Sequence, residues 1–233
     1  MPVQRIVLGV HGIGGSSQDA IQPGISEEME MFSSATVRFD FPCHGDNPTN
    51  VFTLHDCVDT LVSVARWIRQ DFPHVEDLCI FASGFGAYVT LVALEQLIAL
   101  PGKVKLVVQT PSVMMHTTFL AMRKITLEQL QRDGKTTFKV ARPFDGTYEF
   151  YKELSENLVL TTQPIPMLIL HGEQDDFIRM EDIQNFHRVN EDSKLVIIPG
   201  TSHQFLEDGA WDMVLDLTRE WFSFEQVLLC DWE

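Results

Sequence analysis

The sequence has few basic residues, few cysteines and no long hydrophobic run, and each shortage argues against a class of protein. Lysine and arginine together number 17, against 33 aspartates and glutamates, so the net charge is −16. This sign opposes binding to nucleic-acid phosphates and to anionic lipid, and we expect neither partner. No apolar run approaches the roughly 20 residues that cross a bilayer, so we expect no membrane span.

The four cysteines are scattered and lack the C-x-x-C spacing of metal and redox sites; they are Cys43, Cys57, Cys79 and Cys230. The first residues show no charged stretch followed by an apolar one, so no signal peptide is evident. Together these observations predict free thiols in a reducing compartment, and hence a cytoplasmic protein. The sequence does not determine the oligomeric state, and a homodimer is an open alternative to a monomer.

The chain does contain an alternation of strand and helix patterns. Short runs of Val, Ile, Leu and Phe predict strands that are buried on both faces, and the runs between them have helical spacing. The predicted strands are 5–10, 36–41, 78–83, 104–109, 167–170 and 194–198, and the clearest helices are 56–71, 86–99, 180–190 and 207–224. This order predicts an α/β fold with a mostly parallel central sheet and helices on both faces. The site is expected at the carboxyl ends of the strands.

Five short motifs resemble those of the α/β-hydrolase superfamily and follow its order. They are HGIGG at 11–15, DFPCHGDN at 40–47, ASGFG at 82–86, HGEQDDFI at 171–178 and GTSHQF at 200–205. Each motif alone is weak, but the ordered set is specific and covers nearly the whole chain. By the size and position of the insertion at 113–163, the chain resembles lidded bacterial carboxylesterases of the feruloyl and cinnamoyl esterase type within this superfamily. This resemblance implies hydrolysis of small acyl or aryl esters without a cofactor or a metal.

The position that should carry the nucleophile is a glycine. In the family's strand–turn–helix motif a serine lies between two small residues, which here are Ala82 and Gly86, and the residue between them is Gly84. Glycine has no side chain to attack a carbonyl. Activity is therefore expected to be weak or absent.

The rest of the catalytic apparatus is present by resemblance. Asp175 corresponds to the acid and His203 to the base of the triad. The backbone N–H groups of Ile13 and Phe85 correspond to the oxyanion hole. Asp176 competes with Asp175 for the role of acid, but the spacing from the HG pair at 171–172 favours Asp175.

Several substitutes for the missing serine stay open. Ser83 is adjacent, but neighbouring side chains at a strand end point to opposite sides. Cys43 offers a thiol without a supporting pattern around it. A water molecule in the vacated space, with His203 as general base, needs no nucleophilic side chain. The alternative to all three is an inactive pseudo-hydrolase that binds a small apolar ligand or a partner.

Residues 113–163 interrupt the alternation of strands and helices. They contain a predicted helix from Leu127 to Arg132, a turn at Asp133-Gly134, a strand-like run at 136–140 and a second helical stretch that ends near Leu158. In the resembled family a lid is inserted here, so we expect a hydrolase core of 1–112 and 164–233 and a lid of 113–163. Apolar and aromatic side chains of the lid are expected to line the substrate pocket, namely Met114, Met115, Phe119, Phe138, Phe144 and Tyr148.

Overall fold

The computed structural model describes residues 5–19, 24–27 and 34–223. Its strands are β1 (Arg5–Val10), β2 (Ser34–Arg38), β3 (Asp77–Ser83), β4 (Lys103–Gln109), β5 (Lys135–Phe138), β6 (Phe144–Thr147), β7 (Met167–Gly172) and β8 (Lys194–Ile198). Its helices are α1 (Leu54–Asp71), α2 (Phe85–Ile98), α3 (Met115–Arg123), α4 (Leu127–Asp133), α5 (Tyr148–Glu156), α6 (Met180–Arg188) and α7 (Ala210–Ser223). Cys230 and the predicted end of the last helix at 224 lie outside the described residues.

Six strands form one parallel sheet in the order β2-β1-β3-β4-β7-β8. The α/β fold class predicted from the sequence is confirmed. Two strands differ from their predictions by two residues or more: β7 ends at Gly172 and not at residue 170, and β2 covers Ser34–Arg38 and not 36–41. Beyond it the Phe41 N–H donates to the side chain of His11, at 3.1 Å from Nε2, and so pairs with a side chain instead of a neighbouring strand.

The centre of the sheet is buried on both faces, as runs of apolar residues predict. Every residue of β3 is buried. In β1 the alternate residues Ile6 and Leu8 pack with α1 and α2 in one apolar cluster. Val7 points to the other face and joins a second cluster with Val214 of α7. Helices thus cover both faces and hold the strand ends in fixed register.

The chain between β4 and β7 forms α3, α4, the antiparallel hairpin β5–β6 and α5. A capping box defines the start of α4, because Thr126 and Gln129 each accept a hydrogen bond from the other's backbone N–H. Gly134, at φ 75°, ends the helix in the left-handed conformation that glycine tolerates. Aromatic side chains join this segment to the body of the protein: Phe150 of α5 contacts both Phe52 and Phe85.

In the described ranges no helix is both long and apolar enough to cross a membrane. The cysteines in these ranges, Cys43, Cys57 and Cys79, are buried and unpaired.

Candidate functional site

A sharp turn at Gly84 joins the end of β3 to the start of α2. Gly84 has φ 52° and ψ −113°, a backbone conformation that residues other than glycine adopt only under strain. Its N–H donates to the carbonyl of Gln109 at 2.9 Å, and its carbonyl accepts from Tyr88 N–H at 3.2 Å. A Cβ built on residue 84 would have no other heavy atom within 4 Å, its chain neighbours apart. A side chain here would therefore project into open space.

Gly86 allows α2 to start close to the turn at 11–15. A Cβ at residue 86 would lie 2.3 Å from the carbonyl oxygen of His11 and 2.8 Å from that of Val10. Both contacts are with backbone atoms that cannot move aside, so only glycine fits. The close approach brings the N-terminus of α2, with its positive helix-dipole end, next to Gly12 and Ile13.

Two buried histidines fix the turn at 11–15. The Nδ1–H of His11 donates to the Gly12 carbonyl at 2.8 Å, while its Nε2 accepts the Phe41 N–H. His44 Nε2 accepts the N–H of Gly14 at 2.8 Å, and its Nδ1–H donates to the Pro42 carbonyl. Burial lowers the pKa of His44 from 6.5 to about 4, and burial also lowers the pKa of His11. Both rings are thus neutral at pH 7 and brace the turn.

Two backbone N–H groups beside Gly84 have no acceptor in the described part of the chain. They belong to Ile13, in the braced turn, and to Phe85, the first residue of α2. Both residues line the same cleft as Gly84. Unpaired N–H groups at a helix N-terminus are suited to hold an oxygen that carries negative charge.

A histidine–carboxylate pair faces this cleft. The Nδ1 of His203 lies 2.8 Å from Oδ2 of Asp175, and the Asp175 side chain is fully buried. The other carboxylate oxygen, Oδ1, accepts the N–H groups of Phe177 and Ile178 at 2.8 and 2.9 Å. Burial raises the pKa of Asp175, but the hydrogen bonds from His203 and the two amides outweigh burial and hold it below 3.8. Asp176, the competing candidate, is exposed.

The loop of His203 is seated on the end of β7 through Gly172. A Cβ at this glycine would lie 2.4 Å from the Thr201 carbonyl oxygen and 2.7 Å from that of Ser202. The close contact fixes the His203 loop against the strand that leads to Asp175. His203 itself lines the cleft together with Gly84.

The cleft has a volume of about 380 Å³, within the range of small-molecule sites. Apolar side chains stand near its mouth, where Phe177 and Leu206 are 48% and 76% exposed. The ends of β3 and β4 and one face of α3 contribute polar side chains to the cleft. Ser83 was considered only as a nucleophile, and sequence reasoning missed the other four: Gln109, Thr110, Ser112 and Thr118. Gln109 ends a predicted strand and Thr110 follows it directly, and this placement at the carboxyl end of a strand could have revealed both.

The predicted lining of the pocket needs correction. None of the six residues lines the cleft: Met114, Met115, Phe119, Phe138, Phe144 and Tyr148. The orientation of α3 about its own axis gives the reason. Met115 and Phe119 face the core and are at most 1% exposed. Thr118 and Met122, four residues apart, lie on the face toward the cleft. Phe138 and Phe144 stack on each other, with ring centroids 4.7 Å apart, and hold the hairpin together.

Neither of the two side chains that could replace the serine is hydrogen-bonded to His203 in the described residues. The Ser83 hydroxyl donates to Oε1 of Gln109 at 2.9 Å. Cys43 lines a different depression, which shares Gly15 and Asp19 with the cleft, and burial raises the pKa of its thiol. Its φ of 64° is a conformation that favours glycine.

Comparison with known proteins supports the fold. No family model and no curated protein match the sequence. Among solved structures, Est1E from Butyrivibrio proteoclasticus with ferulic acid bound has 18% identity and a TM-score of 0.78 over 95% of this chain and 88% of that one. The mouse alpha/beta hydrolase domain-containing protein 10 has 18% identity and a TM-score of 0.75 over 92% and 88%. The esterase domain of a Rhodothermus marinus protein has 17% identity and a TM-score of 0.66 over 95% and 87%. This chain therefore has the α/β-hydrolase fold.

Proposed function

We propose that this protein of α/β-hydrolase fold carries a site of the serine carboxylesterase type for small acyl or aryl esters, in which the nucleophile is replaced by Gly84. One observation carries the proposal. His203, which is paired with Asp175, lines the same cleft as Gly84, and Gly84 keeps a sharp turn of positive φ with open space where a side chain would project. Serine at this place would complete a nucleophile–base–acid triad.

The remaining groups support slow hydrolysis by water. An ester carbonyl placed between the Ile13 and Phe85 amides has its developing oxyanion stabilised by two hydrogen bonds. A water in the space beside Gly84 attacks the carbonyl carbon while it gives a proton to Nε2 of His203, whose Nδ1–H is held by Asp175. The C–O bond to the alcohol then breaks, and the leaving alcohol takes that proton from His203. Hydrolases that lack a triad member retain roughly 10³–10⁴-fold catalysis over water, so any activity is small.

The second candidate function is ligand binding without turnover. Glycine at residue 84 removes the strain that a serine would carry, at the expense of the nucleophile. We propose that residues 113–163 then act as a cap over a bound ligand, above the core of 1–112 and 164–233. A cytoplasmic location is part of the proposal, supported by the buried and unpaired thiols at Cys43, Cys57 and Cys79.

Restoring the serine tests the proposal. Gly84→Ser is expected to raise p-nitrophenyl butyrate hydrolysis by about 10³-fold or more, and to react with a fluorophosphonate at residue 84. Gly84→Ala is the matched control, because it adds the Cβ without the hydroxyl and should gain neither property. His203→Ala in the Gly84→Ser background should remove the gain.

The outcomes separate the two candidate functions. If Gly84→Ser folds, as judged by circular dichroism, but neither reacts nor hydrolyses, the esterase-type site is wrong and the binding function is favoured. If the unaltered chain hydrolyses the ester and His203→Ala abolishes this, attack by water is supported.

A further inference from the structure

Five polar side chains form one wall of the cleft, here named the polar wall: Ser83, Gln109, Thr110, Ser112 and Thr118. They come from the ends of β3 and β4, the chain that follows, and α3. All are 9% exposed or less, and Gln109, Thr110 and Ser112 are 1%, 2% and 4% exposed. Buried polar side chains normally have hydrogen-bond partners.

Most of the polar wall has no such partner. Its one side-chain hydrogen bond runs from the Ser83 hydroxyl to Oε1 of Gln109. The hydroxyls of Thr110, Ser112 and Thr118 make no hydrogen bond within the described residues, and neither does Nε2 of Gln109. These four groups are open to the cleft, where water can pair with them, so a ligand that displaces the water must supply equivalent hydrogen bonds.

Backbone strain occurs in the same place. Thr110 has φ 43°, which is a genuine outlier for a β-branched residue. A hydrogen bond from its N–H to the Leu170 carbonyl at 2.7 Å holds it there. Strained residues of this kind concentrate at functional sites, where the surrounding structure enforces them.

The chemistry of the polar wall selects its partner. Three hydroxyls can each donate and accept, and the free amide nitrogen of Gln109 donates. The polar wall has no charged side chain, and the acidic residue that lines the cleft, Asp19, belongs to the loop after the turn at 11–15. An uncharged hydroxyl-bearing group satisfies these atoms, whereas a plain hydrocarbon leaves them unpaired.

We propose that the polar wall binds hydroxyl groups of a neutral ligand, so that the ester recognised in this cleft carries hydroxyls on its acyl or its alcohol part. The inference deepens the proposed function, because it names the substrate class of the same site. A cavity of about 380 Å³ accommodates a short ester with such a group.

Two matched ester pairs test the inference on the unaltered protein. Glyceryl 1-monobutyrate is compared with n-propyl butyrate, and ethyl 3-hydroxybutyrate with ethyl butyrate. Affinities are measured by ligand-observed NMR titration, which needs no turnover. The hydroxylated member is expected to bind about tenfold more tightly in at least one pair, since each net hydrogen bond contributes about two- to tenfold.

Variants locate the preference. Thr118→Val and Gln109→Met keep side-chain size and remove the polar group, and each should reduce the preference for the hydroxylated ester by about two- to tenfold. Thr117→Val is the matched control, because this exposed neighbour on α3 bonds the Met114 carbonyl and does not line the cleft. Thermal unfolding checks that each variant folds, and the two substitutions lie on different elements, so either one suffices.

The preference is the ratio of the Kd of the plain ester to the Kd of its hydroxylated counterpart. A ratio of one or less in both pairs overturns the inference. A ratio that both Thr118→Val and Gln109→Met leave unchanged also overturns it. Failure of the proposed function looks different. Suppose that Gly84→Ser stays inactive while the hydroxyl preference is present and is reduced by Thr118→Val. The polar wall is then supported as a binding site, and the proposed esterase-type site is wrong. If Gly84→Ser is active without any hydroxyl preference, the esterase-type site stands alone.

Discussion

Neutral imidazoles at His11 and His44 make the structure around the cleft sensitive to acid. The pKa of His44 falls on folding from 6.5 to about 4, so between these values the unfolded chain binds more protons than the folded one. Stability therefore rises with pH through this window and is lost as the pH falls from 6.5 toward 4. The full contribution of His44 is on the order of 3 kcal/mol, and His11, whose pKa is also lowered, acts in the same direction.

We expect the unfolding free energy to fall by about 2 kcal/mol between pH 7 and pH 5 on account of His44 alone. His44→Gln should be less stable at pH 7 and should lose less stability over the same interval. Urea denaturation at the two pH values measures both effects. His74→Gln, at an exposed histidine, controls for loss of a histidine as such. Equal pH slopes for the unaltered chain and His44→Gln would contradict the prediction. The lowered pKa of Asp175 affects stability only at lower pH, as that carboxylate becomes protonated.

At the scale of residues, the sequence predicted positions that depend on fixed motif spacing. Gly84, His203, Ile13 and Phe85 do line one cleft, and Asp175 contacts His203, because each follows a strand end or helix start that spacing locates. The pocket lining was predicted from apolar character, and there the prediction failed. Which side of α3 faces the cleft depends on how the helix packs, and the sequence of one helix does not contain that information.

At the scale of elements, one arginine connects the β5–β6 hairpin to the loop that follows β2. The Arg142 guanidinium donates to the carbonyls of Gly45, Asn47 and Thr49 and to Oδ1 of Asn50. This loop also carries His44, which braces the turn at 11–15. The hairpin is therefore tied to the loop that supports the cleft.

Arg142→Ala should loosen the hairpin and this loop without unfolding the sheet. Loss of several charge-assisted hydrogen bonds lowers the local opening free energy by about 1–3 kcal/mol, which corresponds to about 5- to 100-fold faster amide exchange. Hydrogen exchange of β5, β6 and residues 45–50, compared with β3, measures this. Arg132→Ala removes an exposed arginine whose hydrogen bonds go to Asp133, and it serves as the control. Unchanged exchange in Arg142→Ala would show that aromatic packing alone holds the hairpin.

The boundaries of elements were predictable where the local pattern decides them. Helix α4 begins after its capping residue Thr126 and ends at Asp133, one residue beyond the prediction and just before Gly134. Strand β2 was misplaced because Phe39 and Phe41 fit a strand pattern, yet the Phe41 N–H bonds to a histidine from a different loop. Such a partner, 30 residues away in sequence, is set by the tertiary fold.

At the scale of the whole molecule, the net charge of −16 determines how salt acts on stability and binding. Excess negative charge destabilises the compact state by self-repulsion, and salt screens it with a Debye length of about 10 Å at 0.1 M. We expect the urea midpoint to rise between 10 mM and 200 mM NaCl, and KCl to give the same shift, which separates screening from binding of one ion. A midpoint that falls with salt would mean that attractive ion pairs outweigh the repulsion.

Charge also separates ligand classes, because binding of glyceryl monobutyrate should be nearly independent of salt, whereas binding of butyrate anion should strengthen as the repulsion is screened. A neutral, hydroxyl-bearing ligand is thus favoured both by the unpaired atoms of the polar wall and by the field of the entire protein.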